Sequence, residues 1–154
     1  MVYFSFMQII AANKKANHDY FINEKFEAGL VLTGSEVKSL RINTGSIKES
    51  FISEKEGELW LTNCYIKKYS ASNNQDTSTT RDRKVLVHKK QLNKIIGASR
   101  RDGMTIVPIL LYFNEKGLAK ITIGLAKGKK KQDKRASIKE KEWGIKKQRL
   151  LKNL

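Results

Sequence analysis

The chain has 154 residues, a formal net charge of +16, one cysteine and two histidines. A single cysteine excludes an internal disulfide and, with no Cys/His cluster, a structural zinc site; a body of about 120 residues buries a sufficient core without either. No stretch reaches the ~20 apolar residues that span a bilayer, and the first seven residues lack the basic start and cleavage site of a leader, so a cytoplasmic protein with no membrane partner is expected.

Residues 1–11 read as an N-terminal extension; residues 1–6 resemble nothing that follows, which makes Met7 a second candidate start. Residues 20–32 mix β-branched and aromatic side chains in partial alternation and predict a strand. Thr33-Gly34-Ser35-Glu36 has the form of a capping box and opens a helix that stops near Asn43-Thr44-Gly45. Residues 51–54 and 59–66 flank Lys55-Glu56-Gly57-Glu58 as a hairpin, and the small polar residues 70–80 predict a mobile loop. A short strand at 85–87 leads into a helix over 89–101, with Leu92, Ile95 and Ile96 on one face. Residues 104–113 and 118–125 form a last hairpin turned at 114–117. Pro108 within it marks an edge or a bulge, because proline cannot donate to a ladder. Five or six strands, two or three short helices and no βαβ rhythm predict a mainly β domain over 12–126, an OB-like closed antiparallel barrel.

Residues 127–154 carry twelve Lys/Arg against three Asp/Glu, net +9, while the body before them is only mildly basic. A charge run is usually a solvated helix face, but at this imbalance self-repulsion costs stability unless a polyanion neutralises it. RNA or DNA supplies that charge along a whole segment. A membrane surface also would, but Asp133, Glu140 and Glu142 interrupt the basic run and the apolar residues make no single stripe. Ser137-Ile138-Lys139-Glu140 repeats the capping-box form. At 100° per residue Ile138 and Ile145 fall on one side, and Trp143, Leu150 and Leu154 on another. Such a helix needs a partner on several sides, so the tail is expected to be disordered when free and to fold on its partner.

Chemistry has little support. His18 and His88 are the only imidazoles, and no nucleophile elbow, metal spacing or phosphate-cradling glycine loop is present. The expectation is a protein that is not an enzyme, with no catalytic residue, metal, cofactor or small-molecule substrate. Cys64, in the apolar run 59–65, predicts a core thiol. Most aromatics at strand spacing belong to the core; Tyr20 and Phe21, beside the basic stretch 13–18, are the candidates for exposed base contact.

Several blocks in order carry a resemblance: Asn13-Lys-Lys-Ala-Asn-His-Asp-Tyr-Phe21, Phe26-Glu-Ala-Gly29, Leu32-Thr-Gly-Ser-Glu-Val-Lys-Ser-Leu-Arg41, Arg83-Lys-Val-Leu-Val-His88, Gly124-Leu-Ala-Lys-Gly-Lys-Lys-Lys-Gln-Asp-Lys-Arg135 and Ile138-Lys-Glu-Lys-Glu-Trp143. Together they make the chain similar to the SsrA-binding protein family, SmpB, from about Ala12 to the C-terminus. The resemblance implies an OB-like barrel that binds the tRNA-like part of transfer-messenger RNA (tmRNA). It also implies delivery of alanyl-tmRNA, with elongation factor Tu, to ribosomes stalled without a stop codon. The tail would then enter the small-subunit decoding region and the empty mRNA channel and fold there. RNA contact is implied for Asn13, Lys14, Lys15, His18, Glu27, Leu86, His88, Lys127, Gly128, Lys129, Lys130 and Lys131. Ribosome contact is implied for Asp133, Lys134, Arg135, Ile138, Trp143, Leu150 and Leu151. Gln132 departs from the family, which often has a ring residue there, and His88 stands where asparagine or a similar polar residue serves. The alternative is a general OB-type RNA chaperone or translation factor without tmRNA specificity.

Overall fold

The computed structural model describes residues 7–42, 45–69, 78–129 and 131–152, with backbone alone at 131–134, 136 and 137. The elements in chain order are β1 (Gln8–Ala12), α1 (Ala16–Asp19), β2 (Tyr20–Leu30), α2 (Gly34–Ile42), β3 (Phe51–Lys55), β4 (Glu58–Thr62), β5 (Arg83–Leu86), α3 (Lys89–Asp102), β6 (Thr105–Phe113), β7 (Ala119–Gly128) and α4 (Lys131–Lys152). Among the described residues the strands form one antiparallel sheet in the order β1-β6-β7-β2-β5-β4-β3.

Local chemistry sets most of these elements. The capping box at α2 is reciprocal: the Glu36 amide donates to the Thr33 hydroxyl at 3.2 Å, and the Thr33 amide donates to the Glu36 carboxylate at 2.9 Å. The β3–β4 turn holds Glu56 and Gly57 at φ 53° and 77°, the left-handed pair that matches a two-residue turn to the twist of its strands. Asn114 closes the β6–β7 turn by accepting from the amides of Lys116 and Leu118. Along β2, Phe26, Ala28 and Leu30 are buried while Glu27 between them is exposed, the period-two pattern of a half-buried strand. These residues join Leu59, Leu61, Val85, Ile95, Leu111, Ile121 and Ile123 in one core. Cys64 lies fully buried there, and burial pushes its thiol up to about 11, so it packs as a small hydrophobe.

Three expectations are corrected. The barrel is not closed. β7 pairs along 105–113 of β6 and β1 along only 110–113 of its other edge; β3 packs against β6 without forming a ladder to it and so ends the sheet. Residues 8–11, set apart as part of an extension, instead supply β1, whose Gln8–Ala12 pairs with 110–113 of β6. The tail, expected to be disordered in the free protein, is helical as α4. That helix starts at Lys131, which places Ser137–Glu140 inside it and not at its cap.

Pro108 sits at the shift in register between Pro108 and Leu110 in the β6–β7 ladder, just before the 110–113 stretch that β1 pairs. The bulge, together with the lack of a strand partner on the β1 side here, is how the sheet tolerates the missing donor. Loop residues 70–77 lie outside the described residues.

Candidate nucleic-acid interface

The first part of the site grows out of the β6 bulge. The Asn13 side-chain amide donates to the Pro108 carbonyl at 3.0 Å, and the Asn13 backbone amide donates to Ile109 at 2.8 Å. Asn13 is therefore built into the sheet at the point where β1 leaves it. Ala16 of α1 then packs with Val107 and Ala126, and with Tyr20 and Ile22 beside them, as a small second core. That anchor fixes the turn carrying Lys14, Lys15 and His18 against the last residues of β7. Tyr20 and Phe21 pair with Gly128 and Lys127. The Lys129 amide donates to the Asp19 carbonyl at 2.8 Å, its ammonium donates to the Asn17 carbonyl at 2.7 Å, and that ammonium lies 4.9 Å from the Phe21 ring centroid. Asn13, Lys14, Lys15, His18, Lys127, Gly128 and Lys129 thus share one end of the sheet. Phe21 is half-exposed beside them, whereas Tyr20 is partly covered by α1. Lys130 lies outside the described residues, as does the side chain of Lys131.

The remaining RNA candidates sit elsewhere. Glu27 pairs with Thr122, six residues along β2 from Phe21, or about 20 Å at ~3.3 Å per residue. Leu86 pairs with Gly29 and stays exposed above it; a Cβ on Gly29 would meet the Leu86 Cβ at 3.5 Å. His88, read from sequence as a strand-end residue, lies beyond β5 and precedes α3, where its carbonyl accepts from the Leu92 amide at 2.8 Å. The candidate face therefore divides into a cationic end beside the start of β2 and a mid-sheet patch around Glu27 of β2 and Leu86 of β5.

Glu27 is not isolated. The buried Tyr112 hydroxyl donates to it, and burial together with that bond pushes the Tyr112 phenol up to about 12. An open groove of about 410 Å³ around the pair is also lined by Lys116 and Lys120. Sequence reasoning singled out neither lysine. The signal was faint: Lys120 is placed by pairing with Gly29 and Tyr112, and Lys116 by the turn geometry at Asn114.

A buried ionic cluster that sequence reasoning also missed supports β5. Arg83 is fully buried and donates to the Glu36 carboxylate at 2.6 Å, to the Cys64 carbonyl at 2.5 Å and to the Thr79 carbonyl at 3.2 Å. Arg81 reaches the other Glu36 oxygen at 2.5 Å. Burial raises the pKa of Glu36, but hydrogen bonds from Arg81, the Thr33 amide and Arg83 outweigh it and leave the carboxyl below its usual value. The cluster ties the start of α2 to the start of β5, three residues before Leu86.

In α4 the apolar residues Ile138, Trp143, Ile145, Leu150 and Leu151 are all exposed, and so is Arg135. The side chains of Asp133 and Lys134 lie outside the described residues. Among the described residues no helix is long and apolar enough to cross a membrane.

The sequence model of the family described as SmpB protein matches residues 10–153. The chain belongs to the SmpB family. Among its relatives, the SsrA-binding protein of Wolbachia pipientis from Culex pipiens (strain wPip) is 51% identical over 147 residues, covering 96% of this chain and 99% of the relative. That of Ehrlichia ruminantium (strain Gardel) is 49% identical over 146 residues, 95% and 99% of the two chains. That of Sphingomonas elodea is 47% identical over 150 residues, 97% and 94%. A solved SmpB structure, described as "tmRNA-SmpB: a journey to the center of the bacterial ribosome", is similar with a TM-score of 0.63 and 41% identity over 82% of this chain and 92% of that one.

Proposed function

We propose that this chain binds the tRNA-like part of tmRNA and carries it to stalled ribosomes for trans-translation, acting by binding and not as an enzyme. The observation that carries the reading is the 41% identity to a chain described with tmRNA at the centre of the ribosome. The surface chemistry supports it. Lys14, Lys15, Lys127 and Lys129 at one end of the sheet supply phosphate-neutralising cations, and Phe21 beside them offers a ring for stacking. Asn13 holds the end in shape. Lys130 and Lys131 extend the same run of cations in sequence.

The mid-sheet patch adds discrimination. Glu27 accepts hydrogen bonds where cations only attract, so it suits an exocyclic amine or a ribose hydroxyl. Leu86 gives an apolar contact beside it, and His88 a polar one. In this reading 12–126 is the RNA-binding body and 127–154 the ribosome-directed tail. Asp133, Lys134 and Arg135 make charge-assisted contacts in the decoding region, and Ile138, Trp143, Leu150 and Leu151 are enclosed along the mRNA channel. Elongation factor Tu joins through the aminoacylated RNA.

The test is recovery of the protein from its own cells under native conditions, followed by analysis of the bound RNA. One discrete structured RNA, outcompeted by tmRNA and not by an unrelated hairpin, is expected. A heterogeneous RNA smear with no preference would contradict the assignment.

A further inference from the structure

Three polar side chains from three neighbouring strands meet at the mid-sheet patch. Glu27 of β2 pairs with Thr122 of β7, and Thr122 pairs on its other side with Leu110 of β6, two residues from Tyr112. Opposite and diagonal residues on one face of a sheet lie within side-chain reach of each other. The Thr122 hydroxyl donates to the Tyr112 oxygen, and the Tyr112 hydroxyl donates to the Glu27 carboxylate, so a short run of hydrogen bonds ends on the exposed acid. The Tyr112 ring is buried, which fixes its hydroxyl in place. Burial and the bond to Glu27 also push the phenol up to about 12, so the donor keeps its proton at any physiological pH.

Lys116 and Lys120 line the same open groove as Glu27 and Tyr112. Among the described residues Glu27 nevertheless forms an ion pair with neither lysine. An exposed glutamate with no anchor exchanges among rotamers and gains little from a surface lysine. A carboxylate with one direction taken by a buried donor keeps its other acceptor sites and loses most of that freedom.

We propose that Tyr112 is a positioning residue for RNA recognition: its hydroxyl holds the Glu27 carboxylate clear of Lys116 and Lys120 and open to a hydrogen-bond donor of the RNA. This rests on the proposed function and deepens it, because discrimination then belongs to the Thr122–Tyr112–Glu27 set and not to Glu27 alone. Thr122 acts one step further back, by turning the phenol proton toward Glu27.

Tyr112→Phe keeps the packed ring and removes only the hydroxyl. In filter binding it is expected to weaken tmRNA binding about 5- to 10-fold, the effect of one lost hydrogen bond, and to leave an unrelated hairpin unaffected. Thr122→Val, which leaves Tyr112 intact, should give a smaller loss of the same kind and carries the test if Tyr112→Phe does not fold. In a Glu27→Ala background Tyr112→Phe should cost no further affinity, since no carboxylate remains to be positioned. Equal losses for both RNAs, or a loss as large in the Glu27→Ala background as in the unaltered chain, would show that Tyr112 acts through packing and overturn the proposal. A preference for tmRNA that Tyr112→Phe leaves unchanged would defeat the positioning role and spare the proposed function. An unaltered chain with no preference for tmRNA would defeat the proposed function, and this inference with it.

Discussion

At the scale of single residues, two carboxylates have opposite duties. Glu36 is buried and matched to two arginines, so its loss strands the fully buried Arg83 charge. Glu36→Ala is expected to cost about 3–5 kcal/mol, the usual consequence of removing one partner from a buried pair, measured as a lower urea midpoint. The pH dependence has a definite sign. Because the folded-state pKa of Glu36 is depressed, its contribution is complete above the unfolded carboxyl value near ~4.3 and is lost as pH falls through the lower folded value. The acid limb of the stability profile should therefore flatten in Glu36→Gln, and an unchanged limb would show that the cluster does not couple protons to folding. Glu27, by contrast, is exposed and is tied to the fold through the Tyr112 hydroxyl. Glu27→Ala should weaken tmRNA binding by roughly 1–3 kcal/mol, the order of one good base contact, while an unrelated hairpin binds as well or better. Equal losses for both RNAs in filter binding would make Glu27 a structural residue.

Among the elements, α4 is the unusual one. Its 22 residues span about 33 Å, and its apolar side chains stay exposed. A helix that buries so little holds together mainly by its own propensity, which in water is marginal. In the free protein, amides over 143–151 should exchange orders of magnitude faster than those of β2 and β7. Protection matching the sheet would mean that α4 has a docking site on the body. The same element marks where sequence and structure part. The capping box at Thr33, the turn at Glu56-Gly57 and the helix 89–101 were legible because each is written in local chemistry. The tail's divided apolar pattern was legible too, but a pattern that forbids docking does not forbid a helix, and lysine, glutamate and arginine favour one. Sheet closure was not legible. It depends on whether β3 forms a ladder with the part of β6 before residue 110 that β1 leaves unpaired, a long-range pairing that no local pattern encodes. The Arg83 cluster was hidden for the same reason: Glu36 and Cys64 meet Arg83 only through long-range pairing. The residues proposed to contact RNA came from blocks of resemblance, which did not show their division into two patches about 20 Å apart along β2.

For the whole molecule, the central feature is a division of charge and labour. The body carries a modest excess of cations spread over its surface, and the last 28 residues carry net +9, most of it on the helix α4 that follows β7. In the proposed function the body grips one RNA while the tail seeks another. Replacing Asp133, Lys134 and Arg135 together by alanine removes two cations and one anion from the tail and nothing from the sheet. The decisive measurement pairs two readouts on that variant: tmRNA affinity as a function of salt, and transfer of the tag onto a chain stalled on a message without a stop codon. Affinity should change little and the salt slope by no more than ~2, while tagging fails. Binding and tagging that fall together would place the tail within the tmRNA grip and contradict the division of labour.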